Sequence, residues 1–74
     1  MRHEDEIVDE MGGWRFGSAN WSLCARELIR NLRSQRDLLA GALAEYAFVA
    51  DEEGLISRSK EDTIKIAQNT VAEE

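Results

Sequence analysis

The sequence has no proline, one cysteine (Cys24), one histidine (His3) and no apolar run long enough to span a membrane. A single cysteine excludes an intrachain disulfide. One cysteine and one histidine cannot supply the usual four-ligand zinc site, so no metal or cofactor is expected. Cys24 has no plausible base for a nucleophilic role, and neither a Ser/His/Asp set nor an acid–base carboxylate pair stands out. A catalytic function is therefore not expected. Positive charge is also scarce: 9 basic against 15 acidic residues leave a net charge of −6. That balance favours solubility and works against non-specific binding to nucleic acid. The opening MRHEDEIVDE is polar and acidic, unlike a signal or transit peptide, which points to the cytoplasm and a reduced thiol.

At 74 residues the chain is one small domain. Such a domain buries only about 60% of its unfolded surface and usually needs a disulfide, a metal or a partner chain. With the first two absent, a homo-oligomer is expected, most simply a homodimer.

What the sequence does have is a long apolar seam. Between Ser18 and Asp51, residues Trp21, Ala25, Leu28, Leu32, Gln35, Leu39, Ala42, Tyr46 and Val49 follow at alternating spacings of four and three. This is an a/d pattern over about four heptads, with Gln35 its one clearly polar member. Cys24, Ile29, Leu38, Leu43 and Ala50 widen the face beyond that of a two-stranded zipper, so more than one neighbour is expected. Ser18 or Asn20 can cap the start, and Gly54 suits a left-handed stop. A helix of about 31 residues would extend roughly 46 Å, against a diameter of roughly 30 Å for a compact domain of this size. Part of the seam would then meet another molecule or stay wet, with Gln35 either setting register there or pointing to solvent at a gap in the packing. Ala40, Gly41, Ala44 and Ala47 would allow close approach of a second helix.

The remaining segments organise around that helix. Residues 1–17 read as an acidic arm and a glycine/aromatic loop. Ile7, Met11 and Trp14 form one stripe if the arm is helical, and Gly12-Gly13 ends it. Gly12 and Gly17 have phosphate-loop spacing, but Ser18-Ala19 stands where Lys and Ser/Thr are required. Residues 52–59 form a loop. Ser59 and Asp62 resemble a capping box for a second helix over 60–72, with Ile64, Ala67 and Val71 as its inner stripe and Thr63, Ile66 and Thr70 as a weaker one. The expected fold is all-α: a long central helix and a shorter C-terminal helix in a hairpin, with a short N-terminal helix or arm, assembled as an oligomeric small bundle.

Two residue sets are candidate contacts. Trp14, Phe16, Trp21, Ala25, Leu28, Leu32, Gln35 and Leu39 would form a partner or oligomer interface, tryptophan being favoured at binding centres; Trp14 and Phe16 read first as core, tucked back onto the long helix. Arg26, Arg30, Arg33 and Arg36 form a basic patch behind the seam that could meet an anionic partner or pair with the acidic arm. The clusters Glu4–Glu10 and Asp51–Glu53 could present carboxylates to a basic groove.

The run from Leu32 to Tyr46, LRSQRDLLAGALAEY, resembles a helix found in small accessory proteins of tailed phages and prophages. There the helix precedes a loop and a short alanine-rich helix. The likeness reaches loosely to Ala72 and implies a regulator or inhibitor of a host protein, at work in the host cytoplasm. It carries no site residues across, and Trp14, Phe16 and Trp21 lie outside it. The leading expectation is a protein-interaction module without enzymatic activity. The alternatives are a nucleic-acid-binding regulator using Arg26, Arg30 and Arg33, or an oligomer holding a small ligand between protomers.

Overall fold

The seam of residues 18–51 is not one rod. In the computed structural model, which describes residues 2–14 and 18–73 (Ser18 and Ala19 by backbone alone), the chain turns at Arg33–Gln35. This leaves four helices: α1 (Glu4–Glu10), α2 (Ser18–Leu32), α3 (Arg36–Glu52) and α4 (Lys60–Ala72). The Gln35 N–H donates to the Leu32 carbonyl at 2.8 Å, closing the turn. The Gln35 carbonyl then accepts from Leu39 N–H at 2.9 Å, opening α3.

Burial is the reason for the break. Interrupting a helix forgoes a few backbone hydrogen bonds, each worth about 1 kcal/mol net. Each Leu or Ile side chain withdrawn from water returns about 1.5–3 kcal/mol. A straight rod leaves much of a wide apolar face wet; folding it lets its two halves serve as neighbours for each other. The chain is accordingly 29 × 21 × 17 Å, well short of the expected 46 Å length. Much of the seam that called for a second chain is covered within this one, and Val49 at its end stays exposed. Gln35 is an exposed N-cap residue whose side chain makes no capping bond, and it sets no register in a seam.

α3 packs against both α2 and α4, and α1 bridges α2 and α4, so each helix touches two others around a ring. The core is Ile7, Val8, Met11 and Trp14 from the N-terminal segment, Ala25 and Ile29 from α2, Leu39, Leu43, Ala47 and Ala50 from α3, Ile56, and Ala67 and Val71 from α4. On α4 the order of the two stripes differs from expectation. Thr63 and Thr70 are fully buried, whereas Ile64 is half-buried. The two hydroxyls donate to the carbonyls four residues back, Ser59 at 2.8 Å and Ile66 at 2.7 Å, so no polar group is stranded.

Local signals explain the ends. α1 is capped by His3, whose Nδ1 accepts from Asp5 N–H at 3.3 Å, and three acidic residues fill its first turn. It stops in paired bonds from Gly12 N–H to Asp9 and Gly13 N–H to Val8, with both glycines at positive φ. Gly54 (φ 72°) ends α3 in the same way, with Leu55 N–H donating to Ala50. Ser59 caps α4 by accepting from Asp62 N–H.

Two glycines differ in what they allow. A Cβ on Gly41 would meet nothing within 4 Å, so no described helix of this chain approaches Gly41 closely. A Cβ on Gly12 (φ +106°) would lie 2.7 Å from Ser57 Oγ and 3.1 Å from Arg58 N. In urea titrations, Gly41→Ala is expected to raise stability by about 0.5–1 kcal/mol. Gly12→Ala is expected to lower it by about 1–3 kcal/mol through strain and the clash.

Candidate functional site

The residues expected at an interface are mostly inside the protein. Ala25 and Leu39 are fully buried, Trp14 nearly so, and Leu28 and Leu32 are half-buried against the core. Phe16 lies outside the described residues. Trp14 and Trp21 flank Tyr46, with ring centroids 4.9 and 5.0 Å from it, and the Tyr46 hydroxyl donates to the Trp21 carbonyl at 2.8 Å. This cluster ties α2 to α3 and seats the connection after α1. The Trp14 indole N–H is buried without a hydrogen-bond partner among the described residues.

The arginines are largely committed within the chain. Arg26 Nε donates to Asp5 at 2.5 Å and Arg30 to Glu4 at 2.9 Å, which docks α1 on the side of α2 away from the seam. The Glu4 contact holds the Arg30 guanidinium above its ordinary value. Arg36 donates to the Val71 carbonyl at 3.1 Å, placing positive charge at the C-terminal end of α4, where the helix dipole favours it. Arg33 is exposed at the turn. The acidic arm is spent in the same way: besides Glu4 and Asp5, Glu10 pairs with Arg2. Arg2 also binds Glu73 through two hydrogen bonds, which lower the Glu73 carboxyl below its ordinary range.

Two open regions stand out: a depression of about 670 Å³ at the turn before α3, between Gln35, Leu38 and the Gln68–Ala72 end of α4, and a more apolar face between α2 and α3. Leu28, Ala42, Glu45, Tyr46, Phe48 and Val49 line a shallow apolar depression of about 480 Å³. A smaller one of about 270 Å³ adjoins it across Tyr46, between Asn20, Trp21 and Cys24. Leu38 is 60% exposed, Val49 44% and Phe48 43%. Lys60 Nζ lies 4.0 Å above the Phe48 ring and 3.2 Å from Glu52.

Two of the eight expected interface residues, Trp21 and Leu28, line this face. Leu38, Ala42, Val49 and Phe48 were missing from the expected set. Ala42 and Val49 belong to the a/d seam and Leu38 to the residues that widen it; all three lie outside the arc that Leu39, Leu43 and Ala47 bury, and Phe48 belongs to neither set. Among the described residues no three His, Cys, Asp or Glu side chains converge as they would around a metal ion, and no helix is long and apolar enough to cross a membrane. No family model, curated protein or solved structure matches the chain.

Tyr46 offers a direct test of this geometry. Burial, with a smaller contribution from the Cys24 thiol, pushes its phenol above the ordinary value of 10. Because the folded value is raised, this contribution to stability is complete below the unfolded value and is lost as pH rises through it toward the folded one. Tyr46 is the only tyrosine, so phenolate absorbance should appear at higher pH in the native protein than in urea. Tyr46→Phe should remove the bond to Trp21 at a cost of about 1 kcal/mol.

Proposed function

We propose that this protein is a non-enzymatic interaction module that binds another protein through the open α2–α3 face. The observation that carries this reading is the apolar depression between α2 and α3, where Phe48 and Val49 are exposed beside Leu28 and Ala42; Leu38 is exposed on the same stripe toward the start of α3, and Leu23 on α2 is the other exposed large aliphatic group among the described residues. Isolated apolar residues on a surface are ordinary, but a contiguous apolar depression marks a contact site. The position of this face next to the Trp21–Tyr46 pair adds a rigid aromatic anchor of the kind that dominates binding energy. The resemblance of the Leu32–Tyr46 run supports one biological form of this role: a phage-encoded regulator or inhibitor that acts by occupying a host protein in the cytoplasm.

Binding to nucleic acid through the arginine stripe is the weaker reading. Arg26 and Arg30 already neutralise Asp5 and Glu4, and Arg36 closes α4. Too few guanidiniums are left over to release many counterions from a phosphate backbone.

Leu38→Glu and Val49→Glu alter side chains that already meet solvent, so both variants should keep the native circular dichroism spectrum. Immobilised wild-type protein is expected to retain a protein from source-cell extract that both variants lose. Identical retention by wild type and variants would refute the reading.

A further inference from the structure

The charge around the open face is one-sided. On α3, Leu38, Ala42, Glu45, Val49 and Glu52 follow at spacings of 4, 3, 4 and 3, an outer heptad stripe beside the buried one. On α2, Asn20, Cys24, Glu27 and Asn31 follow at 4, 3 and 4, and the first two line the smaller depression. The α3 stripe combines apolar side chains with two carboxylates, and the α2 stripe combines Cys24 and two asparagines with one, Glu27. Neither contains a lysine or arginine.

The basic residues of α2 are turned elsewhere. Arg26 and Arg30 reach the α1 side, where Asp5 and Glu4 hold them. Glu27 neighbours Arg30 along the helix, but that guanidinium is hydrogen-bonded to Glu4. Lys60 lies at one margin, paired with Glu52 over the Phe48 ring; at the other, by the turn beside Leu38, stand Arg33 and Arg36, the latter bonded to the Val71 carbonyl. Among the described residues Glu27 and Glu45 take part in no ion pair.

This arrangement selects among occupants. A second copy would bring Glu45 and Glu27 toward the same carboxylates, with its own arginines facing away, and like charges brought together oppose association. An occupant with lysines or arginines beside an apolar stripe would meet the face in both respects. The distance from Leu38 to Val49 is about 16 Å along the helix axis, the length of about three helical turns. We propose that the face takes a basic amphipathic helix of a partner protein, laid along the α2–α3 groove with its apolar stripe inward and its cationic flanks toward Glu45 and Glu27. This rests on the interaction-module reading above and adds the chemistry of the partner.

The test uses two synthetic helical peptides that share a leucine a/d stripe, one with lysine and one with glutamate at the flanking e and g positions. Binding is followed by fluorescence anisotropy of the labelled peptides. Location is followed by the rate at which Cys24, exposed and the only cysteine, reacts with a thiol reagent. The lysine peptide is expected to bind at least about tenfold more tightly than its glutamate twin at low ionic strength. The gap should narrow as salt screens it, and Cys24 should react more slowly. Glu45→Lys combined with Glu27→Lys should reverse the preference while Leu38→Glu weakens both peptides.

Equal binding of the two peptides, abolished by Leu38→Glu, overturns the charge selection and leaves the docking face standing. Failure of both peptides to bind or to protect Cys24, together with unaltered partner capture by Leu38→Glu, overturns both readings. A dimer in sedimentation equilibrium whose Cys24 is protected without peptide gives the groove to a second copy and overturns the proposal.

Discussion

The burial of α3 on two sides is the constraint on which the rest of this protein depends. Its inner stripe, Leu39, Leu43, Ala47 and Ala50, is withdrawn from water, and no single helix could cover it. α4 approaches closely because small side chains meet there: alanines on α3, and on α4 Ala67 with two threonines whose hydroxyls are satisfied by their own helix. α2 covers the adjacent side through Ile29, Leu28 and the Trp21–Tyr46 contact. α1 never needs to touch α3; it closes the gap between the helices that do.

Where a segment carried its own stop and start signals, the sequence was readable at the level of single residues. Ser59 with Asp62 marked the start of α4, Gly54 the end of α3, and Gly12-Gly13 the end of α1. The Arg33–Gln35 turn carries no such signal. It contains neither glycine nor proline, and the heptad spacing runs through it without a slip, because a folded-back seam and a straight one place apolar residues at the same intervals. Only the balance between a few backbone bonds and a wide wet face separates the two, and that balance depends on the whole chain. The same ambiguity affected the site. Seam residues such as Ala25 and Leu39 read equally well as core or as interface, and once the helix folds back they become core. Leu38, beside the seam, and Val49, at its end, are then left outside.

Charge is distributed with the same division of labour. The acidic arm and the arginines of α2 neutralise one another where α1 docks, and Arg2 draws Glu10 and Glu73 together. Exposed pairs of this kind contribute little each and weaken with salt, so their value lies more in choosing how α1 sits than in holding the fold. The α2–α3 side is left with carboxylates and little to balance them, which gives it a sign as well as a shape.

The bond between Arg2 and Glu73 spans 71 positions of sequence, so the chain runs almost in a closed circle. Contacts between α3 and α4 close a short loop, whereas contacts between α1 and α4 must close nearly the whole chain, at a greater entropic cost. Neighbouring helices, α1 with α2 and α3 with α4 alike, can meet through local encounters, and the α1–α4 contact that closes the ring carries the largest entropic cost. In the native protein the same hierarchy runs backwards. Amide protons of α1 should exchange with solvent through partial openings that leave α3 and α4 intact, making the first helix the hinged end of an otherwise cooperative unit.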